Sequence, residues 1–131
     1  MKIRMNGNSV RLRVGQSELA RFLKEGRLEE TIRFAATPDA QFTWALEAAP
    51  PEDAAATVRY ASCAVAIVVT AEQVRLWRRE DQVGIYTQVD IGAGQTLDIV
   101  VEKDFACLDR NGSENADTFA NPHPAADCQV G

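Results

Sequence analysis

An internal repeat constrains this chain more than any other feature, because one offset of 55 residues superimposes most of the sequence on itself. Residues 10–14 (Val-Arg-Leu-Arg-Val) and 65–69 (Val-Ala-Ile-Val-Val) match at that offset, and the same offset pairs Phe22 with Trp77. The remaining pairs are Ile3/Val58, Arg4/Arg59, Leu19/Val74, Glu25/Glu80, Leu28/Val83, Phe42/Leu97, Trp44/Ile99, Leu46/Val101 and Glu47/Glu102. Self-similarity of this kind indicates two copies of one supersecondary unit, over about residues 1–47 and 57–102.

Each copy has the pattern of a strand-strand-helix-strand-strand unit. The predicted leading strands are 2–5 and 10–14 in the first copy and 57–60 and 64–69 in the second. Asn6-Gly7 between two alternating runs is a strong hairpin signal, since both residues tolerate positive φ. Apolar residues at three- and four-residue spacing predict helices over 17–25 and 72–80. Alternation then resumes and predicts two half-buried antiparallel strands per copy.

The ends of the two predicted helices also match. Thr70 followed by Gln73 fits a capping box, and Gly15 and Glu18 occupy those places in the first copy. We expect Gly26 to end the first helix in the left-handed conformation, with Asp81 at the equivalent place in the second.

These elements predict an α+β fold in which two tandem ββαββ repeats form a mostly antiparallel eight-stranded sheet. The sheet either closes into a barrel or stays open with both helices on one face, and periodicity cannot decide between them. Residues 64–69 are apolar on both sides, so we expect both faces of that strand to be covered. Residues 48–56 contain two prolines and form a linker, so 1–108 is predicted to be a single domain.

The remaining residues, 109–131, form a polar acidic tail. It is either disordered or held in place by Phe105, Leu108 and Phe119.

Composition limits the possible partners. The net charge of −5 disfavours binding to nucleic acid and to anionic membranes, and no run approaches the roughly 18 apolar residues of a membrane helix. Three widely spaced cysteines indicate neither a disulfide framework nor a zinc knuckle. We therefore expect a cytoplasmic protein with free thiols.

The first candidate site is a basic face of the predicted sheet. By strand parity, Arg4, Arg11 and Arg13 lie together with Lys2 on the side opposite the apolar positions, and Arg33 and Arg59 are similarly placed. Converging guanidinium groups suit phosphate or carboxylate ligands. The same parity places Glu47, Asp98 and Glu102 on the polar face, so cross-strand ion pairing is an equally good explanation of these charges.

Two metal sites can be considered in the tail. Asp109, Asn111, Ser113, Asn115 and Asp117 alternate as oxygen carriers, as in the start of a calcium loop. Glu114 stands where that loop needs glycine, however, and Ala120 stands where it needs glutamate. Three soft ligands for zinc are Cys107, His123 and Cys128, but a structural site needs four. The sequence therefore predicts no metal site and no cofactor.

No catalytic residues are predicted. His123 is the only histidine and lies in an Asn-Pro-His-Pro segment, and no nucleophile elbow or phosphate-cradling loop is present in the sequence. Trp44 and Trp77 occupy apolar positions of a strand and a helix, which favours core packing.

Several segments resemble a family of small bacterial proteins of unknown function. They are residues 2–4, 7–13 (Gly-Asn-Ser-Val-Arg-Leu-Arg), 81–85 (Asp-Gln-Val-Gly-Ile) and 101–108 (Val-Glu-Lys-Asp-Phe-Ala-Cys-Leu). The resemblance extends to about Pro122 and implies a bacterial cytoplasmic protein, with no activity, cofactor or catalytic residue to carry over.

Two functional hypotheses follow from the sequence. The first is a non-enzymatic binding or interaction module, with an unknown protein partner or self-association through an uncovered strand edge. The second is a protein or enzyme that binds a small anion, such as a nucleotide or polyphosphate, on its arginine face in the groove between the two copies.

Overall fold

The strands and helices follow one another in the order predicted from the repeat. The computed structural model describes residues 1–105 and 117–120. The elements are β1 (Lys2–Met5), β2 (Ser9–Val14), α1 (Gln16–Glu25), β3 (Arg27–Arg33), β4 (Gln41–Ala48), β5 (Thr57–Ala61), β6 (Ala64–Val69), α2 (Ala71–Trp77), β7 (Gly84–Gly92) and β8 (Gln95–Lys103). Each half therefore has a ββαββ pattern.

The eight strands form two separate four-stranded sheets, and this corrects the predicted single sheet or barrel. Sheet A has the order β1-β2-β8-β7, and sheet B has the order β3-β4-β6-β5. Each helix carries the chain from one sheet to the other, so each sheet contains strands from both halves. The central pairs, β2 with β8 and β4 with β6, are parallel, so both sheets are mixed. Alternation marks which residues of a strand are buried but does not identify its neighbour, so the sequence did not reveal these pairs.

Strand register confirms the repeat for both central pairs. Ser9 lies opposite Asp98 in sheet A, and Ala64 lies opposite Thr43 in sheet B. Both residues of one pair are 55 positions from their counterparts in the other. The two sheets are therefore equivalent structures built from exchanged strands.

The sequence alignment assumed one uniform offset of 55, but the strand pairing shows that the offset changes within the repeat. Leu28 pairs with Leu46 in sheet B, whereas Val101, the counterpart of Leu46, pairs with Ile85 in sheet A. The counterpart of Leu28 is therefore Ile85 rather than Val83, at an offset of 57. The second half has two extra residues between α2 and β7 and two fewer in its last hairpin.

The two extra residues of the second half lie after the end of α2. The predicted helix over 72–80 ends instead at Trp77, and Asp81 is not its left-handed cap, whereas Gly26 has that role in α1 with a φ of 76°. A side chain of β8 stabilises the turn after α2, because Lys103 Nζ donates a 2.7 Å hydrogen bond to the carbonyl of Arg79.

One hydrophobic cluster joins the two sheets and the two helices. Phe22 of α1 and Trp77 of α2 are each 1% exposed, and their rings meet edge to face with centroids 6.3 Å apart. Around them lie the inward residues of the central strands: Val10, Leu12, Val14, Leu46, Val65, Ile67, Val69, Ile99 and Val101. Trp77 also donates to the carbonyl of Val83 at 3.2 Å, so its polar atom is satisfied.

Candidate functional site

The outward side of sheet A carries the predicted basic residues of the first half. Arg4 lies directly opposite Arg11 in the antiparallel pair β1–β2, and Lys2 lies opposite Arg13. Parity placed these four side chains together, and the strand register brings them onto two neighbouring rows.

Arg33 and Arg59 lie on the other sheet. Arg33 ends β3 opposite Gln41, and Arg59 lies on β5 opposite Ala66. The predicted set of five arginines is therefore divided, with Arg4, Arg11 and Arg13 on sheet A and the other two on sheet B.

A shallow depression lies over Arg4 and Arg11, which we call the sheet A groove. It has a volume of about 450 Å³ and is lined by Arg4, Asn6, Ser9, Arg11, Tyr86, Val100 and Glu102. The first four residues belong to the first half and the other three to the second. The groove therefore crosses the β2–β8 junction, where the two halves meet.

Glu102 is the acceptor at the centre of this groove. It accepts hydrogen bonds from the Arg11 guanidinium and, at 2.8 Å, from the Tyr86 hydroxyl. The Glu102 side chain is 13% exposed and that of Arg11 is 26% exposed. Partial burial, and then the bond to Glu102, raise the pKa of Tyr86 to about 12. The phenol is therefore a neutral donor at physiological pH.

Sheet B carries the equivalent arrangement with one important change. Glu47, the counterpart of Glu102, accepts a 2.6 Å hydrogen bond from Arg59 and is also ion-paired with Arg27. Since Arg59 is on β5 and Glu47 is on β4, the Arg59 side chain must cross the intervening strand β6. The β6 residue opposite Arg59 is Ala66, whose small side chain leaves room for this crossing.

Arg4 is the counterpart of Arg59, but it does not make the equivalent bond. Arg11 occupies the position equivalent to Ala66, and its guanidinium is ion-paired with the carboxylate of Glu102. Within residues 1–105 and 117–120, Arg4 has neither an ion pair nor a hydrogen bond through its side chain. The neighbouring Lys2 has a partner, since its Nζ lies 2.9 Å from Asp104 Oδ2.

A second depression continues from the groove along β7 and β8. It shares Ser9, Tyr86 and Val100 with the groove and adds Thr87, Gln88, Asp98 and Ile99. Gln88 donates a 2.9 Å hydrogen bond to Asp98, so this end is polar and acidic. The outward side of sheet A therefore has a cationic end at Arg4 and an acidic end at Asp98.

The sequence did not predict that Asn6, Ser9 and Tyr86 belong to this site. Ser9 and Tyr86 share the outward parity of Arg11 and Glu102, respectively, and this was the available signal. What the sequence lacked was the pairing of β2 with β8, which brings the two sets together.

The metal candidates fall mostly on residues 106–116 and 121–131, outside the described residues. This applies to Cys107, His123 and Cys128 and to the calcium-loop candidates other than Asp117. In the described part of the chain, no three His, Cys, Asp or Glu side chains are grouped as metal ligands. The Asp117 carboxylate accepts hydrogen bonds from Ser17 at the start of α1.

The membrane prediction can also be compared with the described helices. The longer of the two, α1, has 10 residues, and neither is long and apolar enough to cross a membrane.

Comparison with known proteins supplies a family but no activity. A model of a family of unknown function, DUF7009, matches residues 1–123. No curated protein and no solved structure matches the chain. The match agrees in extent with the resemblance seen in the sequence.

Proposed function

The chain belongs to the family of unknown function DUF7009, and we propose that it is a non-enzymatic binding module that takes a small anion in its sheet A groove. The proposal rests on Arg4, whose side chain has no partner among the described residues, whereas Arg59 at the equivalent position is ion-paired with Glu47.

The position of Arg4 has an electrostatic cost. Like charges directly opposite each other in an antiparallel pair are destabilising, and Arg4 faces Arg11 across β1–β2. In the second half the same site has one arginine over an alanine, and the repulsion is absent. Glu102 offsets the charge of Arg11 alone, so the groove has one more guanidinium than carboxylate. A bound anion would offset the charge of Arg4.

The lining of the groove indicates the chemistry of that anion. Arg4 presents a planar fork of donors that matches carboxylate or phosphate oxygens, and Asn6 and Ser9 add neutral donors beside it. Tyr86 and Val100 form an apolar floor next to these donors, and the Tyr86 ring is 61% exposed. We infer a ligand with a carboxylate or phosphate head and a flat, partly apolar body.

The experiment uses thermal unfolding with a panel of anions: inorganic phosphate, pyrophosphate, a nucleoside monophosphate and benzoate. A ligand that binds the native state raises the melting temperature, and above its Kd the rise grows with the logarithm of the ligand concentration. Arg4→Gln should abolish the rise. Arg59→Gln is the matched control, since it removes the same charge from the equivalent position of the other sheet, and it should leave the rise intact. The absence of a rise with every anion, or an equal rise in Arg4→Gln, would contradict the proposal.

Self-association through sheet B is a second candidate. Its edge strands β3 and β5 carry the exposed side chains of Ile32 and Tyr60, and Phe34 just after β3 is 72% exposed. An edge strand with exposed apolar side chains is a template for pairing with another chain. Light scattering over a concentration series tests this candidate. A strict monomer at every concentration rejects self-association, whereas a dimer that Phe34→Ala dissociates supports it.

A further inference from the structure

Residues 117–120 lie against the body of the protein and form what we call the strap. The strap contacts the start of α1 at one end and the end of β8 at the other. Asp117 contacts the start of α1, and Phe119 contacts the end of β8.

Asp117 supplies the helix cap that α1 lacks. In α2, Thr70 caps the helix with its own hydroxyl, which accepts from the backbone N–H of Gln73 at 3.0 Å. The equivalent residue in α1 is Gly15, which has no side chain. The Asp117 carboxylate instead accepts from the backbone N–H of Ser17 at 3.1 Å and from its hydroxyl at 2.8 Å. A carboxylate at this end of a helix is favourable because the first N–H groups lack partners within the helix.

Gly15 provides the space for the strap. The backbone N–H of Gln16 donates to the Asp117 carbonyl at 2.9 Å, which brings the strap close to the backbone of α1. A Cβ atom on residue 15 would lie 2.6 Å from that carbonyl oxygen. Any side chain at position 15 would therefore displace the strap, although the φ of −71° itself allows other residues.

Phe119 covers the end of β8. Its ring meets the Phe105 ring edge to face at 5.9 Å, and its backbone N–H donates to the Asp104 carbonyl at 2.7 Å. The Lys103 ammonium lies over the same ring, 5.6 Å from the centroid. Phe119 of the strap therefore covers the Lys103 ammonium group.

Lys103 is an unusual lysine. It is 5% exposed, whereas Lys2 and Lys24 are both exposed. Burial lowers the pKa of Lys103 below the ordinary lysine value, against the opposing influence of Asp81 and Glu80. Once the strap opens, the exposed amine reacts through its neutral form, as an ordinary lysine does.

We propose that Lys103 is a gated modification site, which the strap shields and which becomes reactive toward acyl donors when Asp117 releases α1. In that reaction the neutral Lys103 amine attacks the acyl carbonyl carbon, a C–N bond forms and the bond to the leaving group breaks. The nitrogen loses its proton to solvent. Opening separates the strap from α1 and from the end of β8 and leaves the core folded, as local opening of a peripheral segment does.

The test is labelling of the native protein with an activated acetyl ester, followed by mass spectrometry. The chain has three lysines, so acetylation of Lys103 is measured against Lys24 on the same molecule. Lys103 should be strongly protected in the wild type. Asp117→Ala and Gly15→Ala open the strap from opposite sides of the contact. Each should raise the labelling rate of Lys103 relative to Lys24 by about fivefold or more, the factor that corresponds to loss of a typical helix cap.

Thr70→Ala is the matched control, because it removes a cap of similar strength from α2 without touching the strap. It should leave the labelling ratio unchanged. The proposal is overturned if Lys103 is labelled as fast as Lys24 in the wild type, or if neither strap variant raises the ratio. It is also overturned if Thr70→Ala raises the ratio equally, since exposure would then follow general destabilisation.

Discussion

Arg4 and Arg59 occupy equivalent positions in the two halves, but Arg59 bonds to Glu47 at 2.6 Å across β6, whereas Arg4 has no bond to Glu102. The cause is one substitution between the copies, Arg11 in place of Ala66. Arg11 both blocks the path that Arg59 follows and takes the carboxylate at its end. In the described part of the chain, Arg4 on sheet A therefore lacks the carboxylate partner that Arg59 has on sheet B.

Replacing Arg11 with alanine should restore to Arg4 the path that Arg59 uses. Arg4 would then bond to Glu102, and the anion-induced rise in melting temperature should be lost although Arg4 is still present. Adding Glu102→Gln to Arg11→Ala should recover the rise, because Arg4 again lacks a partner. A rise that persists in Arg11→Ala would contradict this account.

Tyr86 should titrate well above an ordinary tyrosine. Its pKa of about 12 in the folded chain lies above the ordinary tyrosine value of 10.0. Its contribution to stability is therefore present below about pH 10 and is lost as pH rises toward 12. The chain has two tyrosines, so ultraviolet absorbance of tyrosinate in Tyr60→Phe reports Tyr86 alone.

The control for this titration is the same variant unfolded in urea, which should titrate near pH 10. Glu102→Gln should lower the folded midpoint part of the way, since burial is the larger cause of the shift. A folded midpoint near 10 would contradict the Tyr86–Glu102 contact.

Truncation of Phe22 should be severe. The ring is 1% exposed against Trp77, and Phe→Ala in such a core costs about 3–5 kcal/mol of unfolding free energy. Leu23→Ala, at a residue of the same helix that is 39% exposed, is the control and should cost less. Urea unfolding followed by tryptophan fluorescence measures both. Similar losses in the two variants would be inconsistent with the packing described.

The cap of α2 should be worth about 1 kcal/mol. Thr70→Ala removes the hydroxyl that accepts from Gln73 and should lower the unfolding free energy by roughly 0.5–2 kcal/mol. Thr57→Ala at an exposed position of β5 provides a comparison with no cap to lose. Equal effects of the two substitutions on urea unfolding would argue against the capping role.

The repeat predicted the order and approximate bounds of the strands and helices, but not their neighbours. Arg33 illustrates the limit, since parity indicates its face of a strand but not which sheet contains that strand. The two-residue insertion was hidden for a similar reason. Val83 and Ile85 have the same parity, so either one continues the alternation, and only the pairing of Ile85 with Val101 identifies the counterpart of Leu28.

The candidate site was partly predictable. Parity grouped Arg4 with Arg11 and Arg13, and also raised the alternative of cross-strand ion pairs. Arg11 and Arg59 follow that alternative, and Arg4 does not. The sequence could not show which arginines form ion pairs, because that depends on strand order. Strand order determines which strand an arginine must cross to reach a carboxylate, and whether the residue opposite it is Ala66 or Arg11.

The most direct test of the central claim is nuclear magnetic resonance of the arginine Nε–H groups during titration with phosphate. The Arg4 signal, assigned from Arg4→Gln, should shift along a saturable curve, while the Arg59 signal should stay fixed because its guanidinium is held by Glu47. Equal, unsaturable shifts of the two signals, or no shift of Arg4, would contradict an anion site in the sheet A groove.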